Sequence, residues 1–148
     1  MSEEGGATTT PAPWVLDVSV LTAIARADPE VTYLVIALDG RGRPLIIPVL
    51  AITVASSDAG TEDGDIALRG LERLENVIVA PLKDAEQATR LAAVIAKTGL
   101  ATGDAHVAAV ADASVCPILT ADAPKWREPA TALDDPLHII EIAEPPEG

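Results

Sequence analysis

The chain lacks the residues that would cross-link it covalently or draw it to nucleic acid. One residue in 148 is cysteine, Cys116, so no intrachain disulfide can form, a usage that fits a reducing cytoplasm. Lysine and arginine number 10 against 23 aspartates and glutamates, a formal charge of −13. An autonomous nucleic-acid binder should carry a basic face, and this composition argues against one. No apolar run reaches the ~18 residues a membrane span needs. The acidic, polar start MSEEGGATTTPAPW has the character of neither a signal peptide nor a transit peptide. GxxxxGK[ST] and GxSxG are missing, which removes P-loop nucleotide hydrolysis and α/β-hydrolase chemistry. Gly40 and Gly42 in DGRGRP do not lead a strand into a helix with further glycines, so they read as a turn and not a dinucleotide loop. These exclusions leave a soluble globule, expected in the cytoplasm.

Hydrophobic residues make up 49% of the chain and concentrate in residues 14–142, enough to build one core without a metal or disulfide. Residues 1–13 and 143–148 are polar, proline-containing tails with nothing to bury, and mobility is expected of both. Between the tails short apolar runs alternate with helical patterns. Strands are expected at 14–17, 45–48, 77–81, 115–120 and 138–142. Helices are expected at 19–26, 30–38, 49–55, 66–74, 84–98 and 104–113, with a loop at 56–65 (SSDAGTEDGD). The cleanest amphipathic stretch, 84–98, places Ala85, Ala88, Leu91, Ala92 and Ile95 on one face. Continuous apolar strands separated by helices imply a parallel sheet covered on both faces. The fold class is α/β: a three-layer α/β/α domain over residues 14–142 with about five mostly parallel strands. Residues 30–38 and 49–55 carry more apolar positions than one helical face needs, which points to a homodimer interface.

Sites in such sheets form beyond the carboxyl ends of the strands, and three acids fall there. Asp17 closes the first strand in LDVS, Asp122 follows the strand ending at Thr120 in LTAD, and Asp104 opens a helix in GDAHVAAVA. Three converging carboxylates repel unless a cation sits between them. Hard oxygen ligands suit Mg²⁺ or Mn²⁺, an ion that can activate water for attack on a phosphodiester. Taken singly, each aspartate is more often a cap or turn former. His106 and His138 lack ligand spacing, and His106 reads best as a partly exposed helix histidine. Arg41 with Arg43, Arg69 with Arg73, and Lys125 with Arg127 read as solvated surface pairs that could also grip phosphate. A phospho-receiver domain is excluded, because paired acids after the first strand and a lysine after the last are both missing.

The order Asp17-x-Ser19, a helical insertion, GDAHVAAVA and then ILTAD resembles the PIN-domain family, which includes the ribonuclease toxins of bacterial type II toxin–antitoxin pairs. The resemblance covers about residues 14–142. It implies that Asp17, Asp104 and Asp122 are metal-binding catalytic acids and that Ser19 and Thr120 are hydroxyls orienting carboxylates or water. It further implies Mg²⁺ or Mn²⁺ as cofactor, RNA as substrate, a small antitoxin-like protein as partner, and pairing into dimers. One departure stands out. Where the family pattern P-x-L-x-x-x-E carries its glutamate, this chain reads PVLAITV and presents Val54. Two functions stay open on these residues: a metal-dependent endoribonuclease of weakened activity, and a PIN-like module that binds a protein partner or RNA without cutting.

Overall fold

The computed structural model of the protein describes residues 11–142. In chain order the elements are β1 (Trp14–Leu16), α1 (Val18–Ala25), α2 (Pro29–Gly40), β2 (Leu45–Pro48), α3 (Val49–Ala59) and α4 (Glu62–Leu71). There follow β3 (Val77–Ala80), α5 (Ala85–Thr98), α6 (Thr102–Ser114), β4 (Ile118–Thr120) and β5 (Ile139–Glu141). Two 3₁₀ turns, Ala123–Trp126 and Pro129–Thr131, connect the last two strands. All strand pairings are parallel and the sheet order is β3-β2-β1-β4-β5. Helices cover both faces, giving the expected three-layer α/β/α domain. The chain winds outward from β1 through β2 to β3, then returns to the other side of β1 with β4. Strand order therefore reverses between β1 and β4, and that reversal opens a crevice beyond their carboxyl ends.

The centre of the sheet is its most apolar part because parallel strands there are covered twice. Val15, Leu16, Leu45, Ile47, Ile118 and Leu119 are buried, whereas Ile78 on the edge strand β3 is exposed. Helix ends follow local chemistry. Asp28 caps α2 with Pro29 at its first position, Asp84 caps α5, and the left-handed Gly60 and Gly99 close α3 and α5.

Two expectations are corrected. Residues 56–65 are not a loop: α3 runs on to Ala59, Gly60 ends it, Thr61 caps the next helix, and Glu62, Asp63 and Asp65 fill the first turn of α4. Acids there face the positive end of the helix dipole, so their aperiodic look is that of a cap and first turn. On α5 the inward face is Leu91 and Val94, with Ile95 half-buried, while Ala85, Ala88 and Ala92 are exposed. Burial gain scales with apolar area, so the larger side chains set the helix rotation against the alanines. Of the expected tails, residues 1–10 and 143–148 lie outside the described residues. Residues 11–13 are tied by the Arg43 guanidinium, which donates to the Ala12 carbonyl at 2.7 Å. No helix among the described residues is long and apolar enough to cross a membrane.

Candidate functional site

The crevice is built from the ends of β1 and β4, the start of α6 and the 3₁₀ turn Ala123–Trp126. Asp17 leaves β1 with extended backbone and becomes the N-cap of α1, its Oδ1 accepting from the Val20 N–H at 3.0 Å. The same oxygen accepts from the Ser19 hydroxyl at 2.6 Å, and Oδ2 accepts from the Trp126 indole N–H at 2.9 Å. Asp17 is fully buried, and so is Trp126. A buried carboxylate needs every lone pair answered, and these donors hold it in one orientation.

Asp104 comes from the first turn of α6, where a carboxylate is favoured by the helix dipole. Its Oδ1 accepts from the Val18 N–H at 3.2 Å, which joins the start of α6 to the start of α1. Between the two acids stands Lys125. Its Nζ lies 2.9 Å from Asp104 Oδ2 and 3.3 Å from Asp17 Oδ2. Side-chain exposure is 25% for Lys125, 14% for Asp104 and 0% for Asp17, so the bridge is sheltered from solvent screening. Burial pulls the Lys125 pKa down, but the charge of Asp17 and the hydrogen bond and charge of Asp104 outweigh it, and the net shift is upward. Asp104 is also shifted upward, because its burial exceeds what Lys125 and the Val18 N–H return. Lys125 thus holds its proton firmly, while Asp104 is the costlier charge of the pair.

Of the residues singled out in the sequence, the structure brings Asp17, Ser19, Asp104 and Thr120 to this crevice. The Ser19 hydroxyl also accepts from the Ala121 N–H at 2.9 Å and lies 3.3 Å from Thr120 Oγ1. Thr120 Oγ1 in turn accepts from the Asp122 N–H at 2.9 Å. Asp122 itself is exposed. Among the described residues no group of three His, Cys, Asp or Glu side chains is placed to hold a metal ion. Val54 on α3 packs toward Gly103 and Val18, the neighbours of Asp104 and Asp17: a Cβ on Gly103 would stand 2.8 Å from Val54 Cγ2 and 2.9 Å from Val18 Cγ2. The residue in the glutamate's place is therefore an apolar neighbour of the helix start that carries Asp104.

This donor set does not fit the Mg²⁺ or Mn²⁺ that the family resemblance implies. Such an ion is held by one or two carboxylates, with water filling the rest of its octahedron. Here both carboxylates already face the Lys125 ammonium, and the residue in the glutamate's place is a valine.

Two residues escaped the sequence reading. Lys125, in sequence half of a solvated basic pair with Arg127, is half-buried between the two acids; its only sequence signal is its place three residues after Asp122, next to a tryptophan. His106 is not a partly exposed helix histidine but is 3% exposed, its Nδ1 accepting from the Leu50 N–H at 3.3 Å. It serves the N-terminus of α3, where Pro48 supplies no side-chain cap, and burial pushes its pKa down.

Known proteins place this geometry. The PIN-domain family model matches residues 14–128. No curated protein matches the chain. Among solved structures, VapBC2 from Rickettsia felis, bound to a DNA fragment from its promoter, is similar with a TM-score of 0.59 at 12% identity, covering 86% of this chain and 97% of that one. A toxin–antitoxin complex from Klebsiella pneumoniae gives 0.56 at 16% identity, covering 77% and 90%. PAE2754 from Pyrobaculum aerophilum gives 0.52 at 23% identity, covering 86% and 83%. With the family model spanning β1 to the turn that carries Lys125, and with the same fold in these structures, the chain belongs to the PIN-domain family.

Proposed function

We propose that this chain is a toxin-type PIN protein that acts by pairing with a small antitoxin-like protein and does not cut RNA. One observation carries the reading: an apolar groove of about 550 Å³ between α1, α2 and α4, lined by Ile24, Pro29, Tyr33, Ile36, Ala67 and Leu71. Tyr33 is 75% exposed and Ile36 49%, and adjoining apolar side chains left in water mark a surface awaiting a partner. A groove between helices suits the apolar face of a partner helix. One of the structurally similar proteins is a toxin–antitoxin complex, which supports an antitoxin-like protein as occupant. Val54 and the lysine-bridged acids support the absence of cleavage.

A second reading, a Mg²⁺- or Mn²⁺-dependent endoribonuclease of weakened activity, is favoured by the retained Asp17 and Asp104 with Ser19 and Thr120 beside them. Two assays separate the readings. Co-expression with the small protein of the adjoining reading frame should give a complex in light scattering. Ile36→Glu should weaken it at least about tenfold while leaving the melting temperature of the isolated chain unchanged. A homodimer of the chain alone, dispersed by Ile36→Glu, would assign the groove to self-pairing instead. RNA cut by the parent with Mn²⁺, but not by Asp17→Asn, would establish the nuclease reading.

A further inference from the structure

We propose that the Lys125 ammonium is the resident cation of the crevice: it takes the neutralising place between Asp17 and Asp104 and keeps divalent ions out. This deepens the non-cleaving reading, with which it shares the site but not the test.

The geometry points that way from three sides. Nζ stands within ion-pair distance of one oxygen of each acid, 2.9 Å from Asp104 and 3.3 Å from Asp17. The two carboxylates carry like charge, and the Asp17 charge is one cause of the upward shift at Asp104. A single positive charge placed on both relieves that repulsion without dehydrating a small, tightly hydrated ion. The lysine is positioned from its own backbone. The next residue, Trp126, is fully buried and donates to the same Asp17 oxygen that Lys125 approaches, which pins the turn and leaves Lys125 facing the acids. The Lys125 N–H closes that turn by donating to the Asp122 carbonyl at 3.3 Å. Arg127, its sequence neighbour, is exposed and takes no part. Lys125 is a positioning residue here, since it acts by holding the two carboxylates.

Removing the lysine charge leaves the two carboxylates facing each other uncompensated, so the informative change is the loss of Lys125 and not of either acid.

The experiment is a set of melting curves in EDTA and in Mn²⁺, with NaCl matched in ionic strength as control, for the parent, Lys125→Met, Lys125→Gln and Lys125→Met/Val54→Glu. We expect Mn²⁺ to move the parent no more than NaCl does. Lys125→Met should melt lower in EDTA and rise by roughly 5 °C or more with saturating Mn²⁺, and Lys125→Met/Val54→Glu should rise further. Mn²⁺ raising the parent as much as Lys125→Met would overturn the proposal, as would a folded Lys125→Met that ignores Mn²⁺. Should Lys125→Met not fold, Lys125→Gln decides on the same terms: a rise with Mn²⁺ beyond that with NaCl supports the bridge, and no such rise overturns it. Failure to pair with the small antitoxin-like protein overturns the proposed function and leaves the bridge standing, whereas Mn²⁺ raising the parent overturns the bridge and leaves the pairing standing. Mn²⁺-dependent RNA cleavage by the parent would overturn both.

Discussion

His106 shows how much one side chain can depend on what covers it. Its ring accepts a backbone N–H and is buried, so protonation would cost both the hydrogen bond and the burial of a charge. The folded pKa lies below the ordinary 6.5, and the unfolded chain therefore binds more protons between that folded value and 6.5. Stability from this group is present above pH 6.5 and is lost as pH falls through the folded pKa, with a slope of at most about 1.4 kcal/mol per pH unit. Urea midpoints between pH 5 and pH 8 should show that acid limb in the parent and a flatter one in His106→Gln. Asp104, raised above 3.8, contributes with the opposite sign at lower pH, which is why the difference between parent and variant is the quantity to read. Equal slopes in the two proteins would refute the assignment.

Between elements, α3 and α6 approach closely near the site. Gly103 lies on the face of α6 turned to Val54 and Val18, and an added Cβ would sit 2.8 Å and 2.9 Å from their Cγ2 atoms. Alanine is the better helix former by about 1 kcal/mol, yet overpacking of this kind costs about 1–3 kcal/mol. Gly103→Ala should therefore be net destabilising by about 1 kcal/mol in urea unfolding. Val54→Ala removes the nearest of the three contacts, the Cγ2 at 2.8 Å, and leaves Cβ at 3.2 Å, so Gly103→Ala/Val54→Ala should be more stable than the sum of the single changes requires. Additive single changes would mean that α3 and α6 separate freely, against the packing described. The helix ends were legible at this scale because caps are local: Asp28 before Pro29, and Asp84 before the periodic run of α5. The α3–α4 junction was not, because its acids carry no periodicity and only helix continuity shows what they serve.

For the molecule as a whole, a charge of −13 on 148 residues makes the compact state repel itself. Screening should relieve this, so the melting temperature should climb as NaCl goes from about 10 mM to about 200 mM, over which the Debye length falls from roughly 30 Å to below 10 Å. The sheltered Lys125 bridge is screened far less than exposed charges are, so salt should not reverse the trend. A melting temperature that fell with salt would mean that surface ion pairs outweigh the net charge.

The sequence by itself determined the elements and their class. Short Val/Ile/Leu runs between helical patterns can satisfy their backbone and bury both faces only as a parallel sheet under helices, and the DxS and TxD stretches necessarily end strands at its carboxyl edge. It also determined the departure at Val54, since a missing carboxylate is visible in the letters. Only the tertiary structure decided what the acids face. Asp104 and Lys125 meet Asp17 from 87 and 108 residues further along the chain, and neither periodicity nor spacing carries the direction of a lysine side chain. Charge pairing acts through space, over distances that the fold alone sets. For the same reason Lys125 and Arg127, alike in sequence, end as a buried bridge and a solvated surface charge.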